Sequence, residues 1–432
     1  MKHKRFFLVL LSLVATVCAL FAFTACGKTP DGDDNKGDIT TPGEENSGEG
    51  ESENASEELE FRLNEDGESY SVLGIGTCQG EDVVIPSEYE GKPVTVIWLY
   101  AFRRIITLKS VVIPDTVTSI EAHAFEECYN LTSVTIGKNV TKIGMWAFQH
   151  CNKLTSIEIP DSVTVIDIFA FEFCYSLTSV NIPNSVTQIG GCAFENCSDL
   201  TNVIIPDSVT FIGKRAFYNC YKMTSIDIPD SVTSIGDSTF SGCTGLTSVT
   251  IGNGVTAIET KAFENCSSLK SVTMGSGITR IGIEAFSGCN NLTSFVIPES
   301  VTRIGDSTFS GCTGLTSVTI GNGVTAIEAK AFENCNSLKS VTMGSGITSI
   351  GTEAFSGCNS LTSIVIPESV NLIRDLAFAN CKNLTSVTFE NPNGWSSDDT
   401  TLSSSDLSDP AIAAQYLTDT YCGHGIYWLR YD

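Results

Sequence analysis

From residue 102 onward the apolar positions of this chain recur at one interval. Phenylalanine stands at 102, 125, 148, 171, 194, 217, 240, 263, 286, 309, 332, 355 and 378, every step 23 residues long with no insertion. Three residues after each Phe from Phe125 on comes a cysteine, from Cys128 and Cys151 through to Cys381. Three further on stands a leucine, as in Leu131, Leu154 and Leu177, replaced once by Met223. A Val/Ile pair follows, then Pro or Gly, giving the consensus A-F-x-x-C-x-x-L-T-S-V-x-I-P-x-S-V-T-x-I-G-x-x. A fixed period of this length predicts a solenoid whose units bury their apolar faces only against their neighbours.

One coil can be read physically. L-T-S-V-x-I alternates as a short strand does, and Thr, Val and Ile suit a pleated, half-buried surface. Pro or Gly ends it, because Pro has no N–H to give a ladder. The return segment V-T-x-I-G-x-x-A-F-x-x-C carries apolar residues at mixed spacings and reads as irregular turns, with a helical or 3₁₀ turn near the Phe. The expected fold is a capped repeat solenoid, with short parallel strands on one face and irregular or helical turns on the other. Coils about 4.8 Å apart make the strand stack roughly 58 Å long.

The array is expected to span 102–390. Residues 59–101 contain Val83-Val84-Ile85-Pro86 and Val94-Thr95-Val96-Ile97, a degenerate coil suited to an N-terminal cap. Residues 391–432 turn polar and then bring Tyr416, Tyr421, Tyr427 and Trp428, suited to a C-terminal cap. Terminal repeats need such closure, or they expose core and strand edges. Residues 232–300 and 301–369 differ at only seven positions, among them Ser234 against Arg303 and Phe295 against Ile364. Three units copied as a block extend a surface; they do not easily create a single catalytic pocket.

Residues 1–25 read as an export signal. Lys2, Lys4 and Arg5 precede an apolar run from Phe6 to Phe23, and Thr24-Ala25-Cys26-Gly27 follows. The run is near the shortest that spans a bilayer, so an uncleaved anchor is an alternative. Residues 26–58 carry the candidate lipidation residue Cys26 and a Gly- and Ser-rich acidic stretch with almost no apolar side chains. It cannot offset its ordering entropy and reads as a disordered tether.

The L-x-x-V-x-I and A-F-x-x-C segments on a 23-residue period resemble the BspA-type bacterial leucine-rich repeat proteins over about residues 80–390. Thr24-Ala25-Cys26 resembles the bacterial lipobox, with Phe23 where Leu is usual; simple secretion is the alternative. The repeat resemblance implies an exported surface protein that binds protein or glycan in adhesion or host contact. A passive spacer without a specific ligand is the rival reading. Here Pro or Gly and then Ser occupy the turn where ordinary leucine-rich repeats place Asn or Cys, so shape carries over more safely than activity.

Composition narrows the chemistry. The net charge is −25, which argues against a nucleic-acid partner, since such a surface needs a basic footprint. The 17 cysteines fall mostly one per coil, unlike the local pairs of metal sites, and read as a buried thiol ladder. Cys78, Cys192 and Cys422 lie off it and have no assigned role. Of the four histidines, His123 and His150 fall in neighbouring coils, and no nucleophile elbow accompanies any of them. Neither an enzyme nor a bound cofactor or metal is expected.

Two surface features remain. Thr132, Thr155, Thr178, Thr201 and Thr247, beside Ser133, Ser156, Ser179 and Ser248, form a hydroxyl lattice on the strand face, which ordinary strand polarity also explains. A glycan, a peptide or ice are the ligands such a lattice could meet. Two residues before successive phenylalanines stand Tyr100, His123, Trp146 and Phe169, and four after them Tyr129, Tyr175 and Tyr221. Stacked in register, these form a candidate binding strip; the competing reading packs them beneath the N-terminal cap. The structural ladder is expected from Phe125, Cys128, Leu131, Phe148, Cys151 and Leu154.

Overall fold

The computed structural model describes residues 58–397, 400–420, 423 and 427–431. Cys26, the export signal, nearly all of the tether, Tyr421, Cys422 and His424 lie outside the described residues. Glu53–Asp432 form one compact unit.

The chain winds as a right-register stack of coils, and each coil carries two strands. The first is the expected one, for example Ser133–Thr135, with Val134 facing in and its neighbours facing water. These strands pair in parallel over two or three coils at a time, such as Asp82–Val84 with Ser110–Val112 and Ser133–Thr135. The second strand corrects the sequence reading: the return segment contains it, as in Lys142–Ile143, where only turns were expected. Two residues are too few to show a period, so pattern alone could not reveal it. Yet this second file makes the longer ladder. It runs from Lys92–Ile97 to Phe211–Ile212, and again from Ser234–Ile235 to Leu372–Ile373. Its register is uniform, with Ile120 beside Ile143 and Ile143 beside Ile166.

The irregular turns expected in the return segment are found, but the helical or 3₁₀ turn expected near the Phe is not. Each segment is a run of turns closed by bonds such as Cys128 N–H to the Phe125 carbonyl (3.3 Å), without a helix. The residues two before and two after the Phe have positive φ in all thirteen units, as at His123 (59°) and Glu127 (60°). That geometry aims alternate N–H groups at the next coil: His123 to Met145 (2.9 Å), Phe125 to Ala147 (2.7 Å) and Glu127 to Gln149 (2.8 Å). From Asn196 onward the second of these positions is always Asn or Gly, the residues that tolerate the left-handed region best.

The interior is built from files of like residues. All thirteen phenylalanines are fully buried, and their rings stack at 5.0–5.6 Å with planes within 8° of parallel. Phe125, Cys128, Leu131, Phe148, Cys151 and Leu154 are all closed to solvent, as expected of the ladder. The thiols do more than fill space. Every ladder cysteine donates its S–H to the Phe carbonyl one coil back, at 3.0–3.4 Å. They are free thiols, and Cys78 and Cys192 are buried as well. Burial pushes Cys128, Cys243, Cys312 and Cys381 up to about 12.

Both ends change strand direction. At the N-terminal end Glu60–Leu63 runs antiparallel to Tyr70–Gly74, which leads the long ladder. At the other end Trp428–Arg430 pairs antiparallel with Leu372–Ile373 and with Trp395–Ser397. Two short α-helices and a π-helical turn complete that cap, Ser404–Leu407, Pro410–Gln415 and Tyr416–Thr420, the second capped by Asp409 with Pro410 in its first turn. Trp395 and Trp428 are both buried there, beside Phe389.

Because the thiolate is the reactive form, the ladder should resist alkylation. Iodoacetamide at pH 8 is expected to leave ladder cysteines unmodified in native protein and to label them rapidly in urea, read by peptide mass spectrometry. Fast native labelling of most of them would refute their burial.

Candidate binding surface

The turns that carry A-F-x-x-C also build the candidate strip. Tyr100, His123, Trp146 and Phe169 occupy the left-handed position before the Phe, with φ of 61°, 59°, 56° and 60°. The coil step stacks them: Tyr100 on His123 at 4.6 Å, His123 on Trp146 at 4.6 Å, and Trp146 on Phe169 at 5.1 Å. The N-terminal cap does not bury this file, since Tyr100 at its cap end is 45% exposed. The other three rings are half-buried. Their faces are turned toward one another, so the file offers mainly ring edges to solvent.

A second stack lies in the left-handed position after the Phe. His150 and Phe173 stack at 4.4 Å, both with positive φ (58° and 60°). The sequence reading gave neither a place in the strip, although both stand two residues after a repeat Phe and the same register arithmetic finds them. Tyr129 meets His150 edge-on at 6.3 Å, and Tyr175 lies tilted against Phe173 at 5.9 Å. Tyr129, Tyr175 and Tyr221 are 37%, 41% and 43% exposed. Thus the structure brings all seven strip residues onto the turn face of the N-terminal coils.

Beneath the rings runs a file of charge that sequence reasoning missed. The residue after each Phe is Arg103, Glu126, Gln149, Glu172 and Glu195 in turn, and the three glutamates are buried. Arg103 pairs with Glu126 at 2.6 Å, and His123 Nδ1 lies 2.8 Å from the same carboxylate. Arg215 forks onto Glu195, with Nε and Nη2 3.0 and 2.5 Å from its two oxygens. Glu172 accepts from the Gln149 amide. Its loss of water, reinforced by the Glu195 charge and opposed by Gln149 and Arg215, raises it to about 7. Burial pulls His150 down, against the pull of Glu127 and Glu126. Which cation meets which carboxylate does not show in a sequence whose charges are scattered over separate coils.

The hydroxyl lattice has a structural use. Thr132 Oγ1 donates to the Lys109 carbonyl (2.9 Å), Thr178 to Thr155 (3.0 Å), Thr201 to Thr178 (3.1 Å) and Thr247 to Thr224 (2.9 Å). Their protons are spent one coil back, inside the scaffold. Among the described residues no group of three or more His, Cys, Asp or Glu side chains is placed to hold a metal ion.

This is a solenoid of the leucine-rich repeat class, with an aromatic turn face at one end. The chain belongs to the BspA-type leucine-rich repeat family, whose repeat region matches over residues 95–224, 166–293, 211–320 and 279–400. It is similar to a leucine-rich repeat protein of Bacteroides ovatus, at 28% identity over 77% of this chain and 87% of that one, with a TM-score of 0.61. It is also similar to a leucine-rich cell surface protein of Faecalibacterium prausnitzii, at 30% identity over 77% of this chain and 86% of that one, with a TM-score of 0.41. No functionally curated protein matches the chain.

Glu172 makes a pH dependence that can be isolated. Its carboxyl ionises near 4.5 when unfolded and near 7 in the fold. The native state therefore holds a proton that the unfolded chain has released, and this group's contribution worsens as pH rises from 4.5 to 7. Glu172→Gln is expected to stabilise the protein above pH 7 by up to about 3 kcal/mol, and not below pH 4.5. Urea titrations of both proteins across that range check it; a difference constant with pH rejects it.

Proposed function

We propose that the chain is an exported, lipid-anchored adhesin-like protein that binds a protein or glycan at the bacterial cell surface through the aromatic turn face of its N-terminal coils. The observation that carries this reading is the clustering of aromatic rings, in the first coils, at left-handed positions that the same fold fills elsewhere with other residues. In the first four coils the left-handed positions hold Tyr100, His123, Trp146 and Phe169 before the Phe, and Arg104, Glu127, His150 and Phe173 after it. Side chains with a Cβ cost roughly 1–2 kcal/mol there. Later coils keep the same fold with Ser238, Lys261 or Glu284 in the first position and only Asn or Gly in the second. The fold does not require aromatic rings at these places, and a binding surface does.

Cys26, acylated after signal cleavage, would hold the protein on the membrane, and the acidic stretch to residue 58 would extend the solenoid into the surroundings. The work assigned to this surface is recognition, not catalysis. The competing role, a passive spacer, is favoured by the block-copied units 232–369, where the turn face holds no aromatic ring at either left-handed position.

Two experiments separate these. Probed against protein and glycan arrays, the chain should bind a defined ligand saturably. Trp146→Ala or Tyr175→Ala should weaken that binding about tenfold or more with Tm unchanged. A fall in Tm with no ligand found supports the spacer. In cells, Cys26→Ala should move the protein from the membrane fraction to the medium; unaltered fractionation rejects acylation at this cysteine.

A further inference from the structure

The three tyrosines of the turn face differ from the rings beside them. Tyr129, Tyr175 and Tyr221 share one column, four residues after Phe125, Phe171 and Phe217, and stand on alternate coils. Between them the column holds Asn152 and Ser198, which are small, polar and partly exposed. The stacked files close their ring faces against each other. Tyr129, by contrast, is turned 64° from the plane of His150, and Tyr175 is turned 57° from that of Phe173. Among the described residues no ring stacks on the face of any of the three. The result is a row of partly exposed rings, none covered by another ring, two coils apart, roughly 10 Å at the strand spacing.

We infer that this row is a carbohydrate platform, and that its ligand is an uncharged, linear β-1,4-linked pyranose chain lying along the solenoid axis. The inference rests on the reading of the turn face as a ligand surface and names the class of ligand. In such a chain each sugar is flipped relative to the last, so the same C–H face recurs at every second unit. That disaccharide repeat is about as long as two coils. Apolar C–H faces meet aromatic faces, and the small side chains of the intervening Asn152 and Ser198 leave room for the sugars that point the other way.

Charge suits a neutral polymer. The carboxylates beside the row are already paired with cations, Glu127 with Arg104 (2.9 Å) and Asp199 with Lys222 (2.7 Å), so neither pair leaves a free charge to meet an ionic ligand there. The chain as a whole carries −25. A polyproline-type peptide is the nearest rival in length, with a three-residue repeat of roughly 9 Å. It docks between paired aromatic walls, whereas this column has a single ring on every second coil.

The test uses the whole purified chain with cellohexaose and N-acetylchitohexaose, followed by calorimetry. At least one hexaose should bind saturably, with affinity rising mainly at every second added sugar in the shorter series. Tyr175→Ala should weaken binding about tenfold or more, while Tyr175→Phe retains it because the ring face is kept. Phe211→Ala, which removes an exposed ring from the long ladder, should change nothing. The inference is overturned if neither hexaose binds, if Tyr175→Ala binds as well as the parent, or if a proline-rich peptide takes the tyrosines instead. Loss of an array-identified ligand in Trp146→Ala, without hexaose binding, would sink this ligand class alone and leave the turn face as a binding surface.

Discussion

Everything in this protein depends on each residue lying directly over its counterpart one coil back. The bonds that hold coils together join such counterparts or positions at a fixed offset from them. Thr141 gives both its N–H and its hydroxyl to the Thr118 carbonyl, at 2.9 and 3.1 Å. Phe148 N–H reaches Ala170 (2.9 Å), and the Cys151 thiol reaches Phe125. One inserted residue would displace the partners on both sides of the coil that holds it and turn buried side chains outward there. The close approach leaves little slack. A Cβ on Gly144 would come within 2.8 Å of the Ala122 nitrogen and 2.9 Å of the Ile120 carbonyl oxygen.

The same constraint explains why the interior is monotonous and the exterior is not. A side chain facing in must fit the identical side chain above and below, so Phe, Cys and Leu repeat with almost no change. Cysteine suits its column for two reasons. It is small and apolar enough to be fully enclosed, and its S–H satisfies a second lone pair on a carbonyl that no water can reach. Residues facing out answer to no such requirement, so coils that share a core can differ freely in what they present. The turn face uses that freedom: aromatic rings and buried glutamates in the N-terminal coils give way to Ser, Asn and Gly further along.

In that N-terminal region the surface also runs against local preference. Six aromatic rings sit where the backbone is left-handed, and Glu172 is buried with the Gln149 amide as its hydrogen-bond partner. Stacking returns part of this cost, since each aromatic pair contributes about 0.5–1.5 kcal/mol beyond area burial. Glu126 and Glu195 are compensated directly by Arg103 and Arg215. Glu172 is not, and that difference of partners, not of burial, separates three carboxylates in one column.

The sequence by itself determined the solenoid, its period, the inward files and the coils in which aromatic residues fall, because a strict repeat maps position in the chain onto position in the coil. It could not determine that Val-Thr-x-Ile forms a second strand, as two residues carry no readable period. Nor could it tell which rings close on each other and which stay open. Trp146 and Tyr175 look alike as letters, but one lies in a parallel stack and the other is tilted out of it. Only the tertiary structure decided this, because ring orientation follows from backbone dihedrals and from neighbours one coil away.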